Sequence, residues 1–162
     1  SILSALVNQA SAYISGGGIP KALGNVHPSI APYQVYDASD KKFIVAVGND
    51  AQFIKFAGIV SPDLLGDKRF ATNKLRVENI TALNERLSSI FSTKSAEYWV
   101  DKLQNIHIPT GVINNVKEAF DLATSLGLSP VVEIEGVKSV ANPIKFSKTP
   151  VQYKSAPPKL SD

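Results

Sequence analysis

Between positions 14 and 34 the chain reads ISGGGIPKALGNVHPSIAPYQ, with four glycines and three prolines in one short span. Glycine loosens the backbone and proline removes a donor, so no regular element runs through this stretch. Any fold open to this sequence must carry a long, shaped loop near its start. Loops of that length in compact proteins are commonly functional.

The flanks of the loop are regular. Leu3, Leu6, Val7, Ala10 and Ile14 recur at helical spacing and predict the last turns of a helix ended by Gly16, Gly17 and Gly18. Downstream, the aromatic and β-branched runs Tyr33 to Tyr36 and Phe43 to Val47, separated by DASDKK, predict a β-hairpin. Asn49 or Asp50 then caps a helix over AQFIKFAGIV, with Phe53, Ile54, Phe56, Ala57 and Val60 as its apolar face and Ser61-Pro62 as its stop.

SPDLLGDKRFATN reads as an irregular connection. Leu75, Ile80, Leu83, Leu87, Ile90 and Phe91 mark one longer amphipathic helix, and another runs from Ser95 to about Gln104 with Trp99, Val100 and Leu103 inward. IPTGVI reads as a buried strand, and Asn115 with Glu118 as a capping box opening the short helix VKEAFDLA. VVEIEGVKSV holds two strand-like runs about Glu135-Gly136, before an extended tail, VQYKSAPPKLSD.

Apolar residues make up 44% of the 162 and charged residues 19%, the balance of a folded, soluble body of single-domain size. The absence of cysteine excludes disulfides, thiolate zinc sites and a cysteine nucleophile. The net charge is +3, but the seventeen Lys and Arg are spread along the chain rather than bunched, so no nucleic-acid partner is expected. The apolar N-terminal stretch lacks a basic leader region, and no apolar run approaches the ~18 residues of a membrane span, so no membrane partner is expected either. With no Met anywhere, the chain reads as an internal portion of something longer.

Self-contained chemistry is nearly absent. There is no G-x-S-x-G, H-E-x-x-H, Walker A or Rossmann fingerprint, and no metal site is expected. Gly16 to Gly18 follow a helix and open a coil, which is the wrong context for a phosphate-cradling loop and the right one for a helix stop. His27, held between Gly24-Asn25 and Pro28, reads first as a structural histidine bonded to backbone and second as a substrate ligand. His107, between a helix end and Pro109, reads as structural. Lys68, Arg69, Lys74 and Arg76 read as a solvated helix start balanced by Asp67 and Glu78, with phosphate contact as the alternative.

Four stretches carry a resemblance: GNVHPSIAPYQVYDASDKKFIVAVGNDAQF, DKRFATNKLRVENITALNERL, IPTGVINNVKEAF and ANPIKFSKTPVQYKSAPPKL. In this order and spacing the chain resembles the class III CoA-transferases, which include formyl-CoA transferase, carnitine CoA-transferase and α-methylacyl-CoA racemase. The likeness runs from about Ser4 to Leu160.

The resemblance implies an α/β protein, in which an α+β small domain with a β-hairpin and several helices is flanked by segments of a Rossmann-like large domain. Residues 1–14 would end the linking helix, 15–32 form the active-site loop, 33–123 the small domain, and 124–162 the return to the large domain and the tail. The implied chemistry is transfer of CoA between carboxylic acids, with coenzyme A as substrate and no covalently bound cofactor. A catalytic aspartate upstream of this chain would form an anhydride and then an aspartyl thioester. Acyl-CoA and a carboxylic acid are the implied partners, with a homodimer or self-association, in the cytoplasm or the mitochondrial matrix.

Only the loop carries over to named residues: Gly24, Asn25, His27, Pro28, Ser29 and Ile30. In formyl-CoA transferase a glycine-rich loop follows the equivalent of Gly24-Asn25. Here the stiffer His27, Pro28, Ser29 and Ile30 replace it. The HPSIxPYQ form resembles the branch handling succinyl or related dicarboxylyl groups, whereas the APPKLSD ending lacks the family's LGEHT-like continuation. An acyl-CoA racemase of the same family and a non-catalytic binding module or relic are the competing expectations.

Overall fold

The computed structural model describes residues 2–158. The chain divides into two compact units, Ser1–Ile113 and Asn114–Asp162.

The first unit begins with two helices, α1 (Ile2–Ala5) and α2 (Val7–Gly16). They replace the single helix expected there, the break falling at Leu6, and neither contains a buried residue. Gly17 ends α2 at φ 68°, a left-handed cap that favours glycine.

After the loop, β1 (Tyr33–Asp37) and β2 (Lys42–Ala46) form the expected antiparallel hairpin, Tyr33 opposite Ala46 and Asp37 opposite Lys42. Strand alternation turns Phe43 and Val45 inward, where both are fully buried. Helix α3 (Asp50–Val60) is capped by Asn49, whose Oδ1 accepts the Gln52 N–H at 2.9 Å. It buries Phe53, Phe56, Ala57 and Val60, an i, i+3, i+4, i+7 stripe. Ile54 falls outside that arc and is exposed, contrary to expectation.

The stretch expected to be irregular is not. It forms α4 (Asp63–Gly66) and a 3-10 turn over Lys68–Phe70, because Leu64 and Phe70 have a core to enter and are fully buried. The longer helix expected next is two, α5 (Asn73–Glu78) and α6 (Ile80–Phe91). They part at Asn79, whose side-chain amide donates to the Leu75 carbonyl at 2.9 Å and competes with the helical ladder. Helix α7 (Ala96–Gln104) starts at Ser95 as expected, and β3 (Thr110–Val112) pairs antiparallel with β2. Strand β3 is half-buried rather than buried, since it forms the sheet edge in the order β1-β2-β3.

Phe91 is the hub of this core. Its ring lies 5.0 Å from those of Tyr36 and Phe43 and 5.2 Å from that of Trp99, each pair edge-on. The Phe91 carbonyl accepts the Trp99 indole N–H at 2.9 Å, so the aromatic cluster hides no unpaired donor. Tyr36 donates its hydroxyl to Asn84 Oδ1 at 2.8 Å, and burial pushes its phenol well above the ordinary tyrosine range.

In the second unit, α8 (Val116–Ser125) opens with the expected capping box, Asn115 and Glu118 exchanging side-chain-to-backbone bonds of 2.9 and 3.0 Å. Strands β4 (Val131–Ile134) and β5 (Val137–Val140) form a hairpin closed by Glu135 and Gly136, both left-handed as a type I′ turn requires. No residue of α8 is buried, and Leu122, Leu126 and Leu128 are exposed. No helix among the described residues is long and apolar enough to cross a membrane.

Candidate functional site: the loop before the hairpin

The loop gains its shape from three layers of contact. Gly24 takes φ 62°, a left-handed position that favours glycine. Asn25 Oδ1 accepts the Val35 N–H at 2.8 Å and so ties the loop to β1. The His27 N–H donates to the Tyr33 carbonyl at 3.0 Å, and its ring stacks on that of Tyr33 with centroids 5.0 Å apart.

The imidazole itself is oriented. Its Nδ1 accepts the Ser29 N–H at 3.2 Å, which in a neutral ring assigns the proton to Nε2. Nε2 has no hydrogen-bond partner among the described residues and is a donor on a half-buried ring. One ring nitrogen is thus engaged by loop backbone, and the other carries no protein partner among the described residues.

Beyond Pro28, the segment Ser29 to Pro32 is held from α5 and by Val47 just past β2, with Asp50 of α3 bonded in turn to Asn73 and Arg76. Asn73 Nδ2 donates to the Ser29 carbonyl at 2.8 Å, and Asn73 Oδ1 accepts the Ala31 N–H at 3.1 Å. Arg76 Nε donates to the Ala31 carbonyl at 2.7 Å, and the Pro32 carbonyl accepts the Val47 N–H at 2.9 Å. Asp50 Oδ1 accepts both the Asn73 N–H, at 2.7 Å, and Arg76 Nη2, at 2.8 Å.

Arg76 corrects the reading of the basic residues as a solvated helix start. Its side chain is 0% exposed, lies 4.1 Å over the Phe53 ring, and also donates to the Phe70 carbonyl at 3.1 Å. Burial draws its pKa below the ordinary arginine value while the Asp50 carboxylate draws it back, and the guanidinium stays charged. Arg69 pairs with Asp67 at 2.8 Å, and the exposed Lys74 lies 3.9 Å from Glu78, the counter-charges expected of them. His107 is exposed, at φ 61° just past α7.

Asn73 was not singled out by sequence, Asp50 was read only as a possible helix cap and Arg76 only as one of a basic group, although all three stand in two of the stretches that carried the resemblance. Only folding brings Asp50 to Arg76 across 26 residues and Asn73 to Ser29 across 44. Among the described residues no group of three His, Asp or Glu side chains could hold a metal ion. A cavity of about 510 Å³ in the second unit, with Leu128, Pro130, Val140 and Pro143 in its wall, has Lys145 as its one titratable lining residue.

The arrangement is thus a braced loop presenting an N–H donor, with three sequence stretches converging on it. The family model for CoA-transferase family III matches residues 1–162. This chain belongs to CoA-transferase family III. It is 33% identical to the succinate–glutarate CoA-transferase of Agrobacterium fabrum over 97% of this chain and 41% of that protein. It is also 33% identical to the acetyl-CoA:oxalate CoA-transferase of Acetobacter aceti over 81% of this chain and 34% of that protein. Among solved structures, a CaiB/BaiF family protein from Brucella suis superposes with a TM-score of 0.84 at 37% identity, covering 97% of this chain and 42% of that one. The chain therefore spans about two-fifths of the length of the family III relatives it matches.

Proposed function

We propose that this chain supplies the active-site loop and small domain of a CoA-transferase that moves CoA between carboxylic acids, dicarboxylic acids foremost. The observation that carries this reading is the orientation of His27, whose Nδ1 is engaged by Ser29 and whose Nε2 is a donor with no protein partner among the described residues. The relatives are named as CoA-transferases of succinate, glutarate and oxalate, which supports the dicarboxylate class.

The nucleophile is an aspartate outside this chain. It attacks the thioester carbonyl, expels the CoA thiolate and forms a mixed anhydride; the thiolate then attacks the aspartyl carbonyl, which releases the donor acid and leaves an aspartyl thioester. The acceptor carboxylate displaces the thiolate from that thioester to form a second anhydride, and the thiolate attacks its acceptor acyl carbonyl, giving the new acyl-CoA and the free aspartate. His27, from the loop of Gly24, Asn25, Pro28, Ser29 and Ile30, directs its Nε2–H at the acyl oxygen or the free carboxylate of the substrate. A donor fixed before charge develops stabilises the oxyanion without reorganisation.

The test is His27→Ala in the complete enzyme, with kcat and KM measured for succinyl-CoA and a dicarboxylate acceptor. A fall in kcat of ~10-fold or more is expected where the donor acts on the transition state. Unchanged kcat and KM would return His27 to a purely structural role.

A further inference from the structure

We propose that Asn73 is a positioning residue for the loop, setting the path of Ser29 to Pro32 and through it the attitude of the His27 ring; its consequence for catalysis rests on the reading of His27 given above. The geometry is that of a two-point clamp. One side-chain amide donates to the Ser29 carbonyl at 2.8 Å and accepts the Ala31 N–H at 3.1 Å, pairing with loop backbone as a neighbouring strand would.

The route to His27 is one residue long. The Ser29 carbonyl is held by Asn73, and the Ser29 N–H is held by His27 Nδ1. A shift of Ser29 therefore breaks or remakes the bond that selects the imidazole tautomer. Ala31 is gripped on both polar groups, its N–H by Asn73 and its carbonyl by Arg76. Asp50 ties the two grips together by accepting from the Asn73 backbone and the Arg76 guanidinium with the same oxygen.

The clamp also specifies its residue. Aspartate at 73 keeps an acceptor for Ala31 but faces the Ser29 carbonyl with an oxygen, and alanine offers neither group. Glutamine has both groups but a further methylene, so it reaches the backbone out of register.

The test uses the whole chain without substrate, labelled with 15N at histidine and backbone. Long-range proton–nitrogen spectra report the tautomer of His27, and hydrogen exchange reports the Ala31 amide. In the wild type His27 shows the Nε2–H tautomer and Ala31 is protected. In Asn73→Ala the His27 nitrogens move to the averaged shifts of a free imidazole, and Ala31 exchanges ~10-fold faster or more, while the core amides of Leu87 and Phe91 keep their protection. Asn73→Asp moves the His27 nitrogens in the same direction, and its spectrum decides the matter should the alanine variant fail to fold.

His27 shifts and Ala31 exchange at wild-type values in both variants would overturn the proposal. So would a uniform rise in exchange across the core, since that marks a residue serving stability alone. Because no substrate is present, this result is independent of the His27→Ala rate, and either reading can fail without the other.

Discussion

Asp50 Oδ1 lies 2.8 Å from Arg76 Nη2, yet the carboxylate is half exposed while the guanidinium is wholly buried. The pair is therefore unequal. Water can still solvate Asp50, whereas Arg76 relies on Asp50 and on the carbonyls of Ala31 and Phe70 for everything it lost on burial.

Removing the exposed partner should consequently be costly. Asp50→Ala leaves a buried cation without its counter-charge and is expected to destabilise the first unit by about 3 kcal/mol. Asp50→Asn keeps a neutral acceptor and should cost less, and Asp50→Ala combined with Arg76→Met should cost less than the sum of the two single changes. Urea unfolding followed by Trp99 fluorescence measures this, since Trp99 is the chain's one tryptophan and sits in that unit's core. Strict additivity would show that the two side chains are not coupled.

A second prediction concerns acid. Hydrogen bonds from the Arg69 side chain, aided by its backbone N–H and by the charges of Arg69 and Arg86, hold the Asp67 carboxyl down to about 2. A carboxylate with a depressed folded-state pKa favours the fold above its unfolded value of about 4 and loses that contribution as pH falls to about 2. The urea midpoint of the wild type should decline through this window, and that of Asp67→Asn should decline less. Parallel declines would show that Asp67 does not contribute.

The third prediction is that this chain alone has no CoA-transferase activity. Asp37 is bound to Lys42 at 2.6 Å, Asp40 accepts the Ala96 and Lys41 N–H groups at 2.8 Å, and Asp50 is occupied by Asn73 and Arg76. None is screened from water as an aspartyl anhydride demands. Incubation with succinyl-CoA and an acceptor acid, followed by hydroxylamine trapping, should yield nothing above a boiled control. A trapped adduct on Asp37, Asp40 or Asp50 would move the nucleophile into this chain.

Local signals were legible wherever a single stretch carries its own instruction. Asn49, Ser95 and Asn115 each cap the helix that follows, since a short polar side chain reaches its own backbone whatever lies elsewhere. The hairpin at Tyr33 and Phe43 and the turn at Glu135-Gly136 were legible for the same reason. Misreadings arose where burial overrides local pattern. DLLG and KRF become helical because Leu64 and Phe70 are drawn into a core that no local window contains.

The division at the site follows the same line. Sequence alone determined that positions 17–32 form no regular element, that His27 stands in a stiff setting beside Pro28, and that the chain resembles a family of CoA-transferases. Tertiary structure alone decided which nitrogen of His27 is engaged by backbone, and that an arginine expected in water is buried beneath the loop. The physical reason is distance along the chain. Backbone preferences act over a few residues, whereas a guanidinium takes its partners from wherever folding leaves an unpaired oxygen, here Asp50, Phe70 and Ala31.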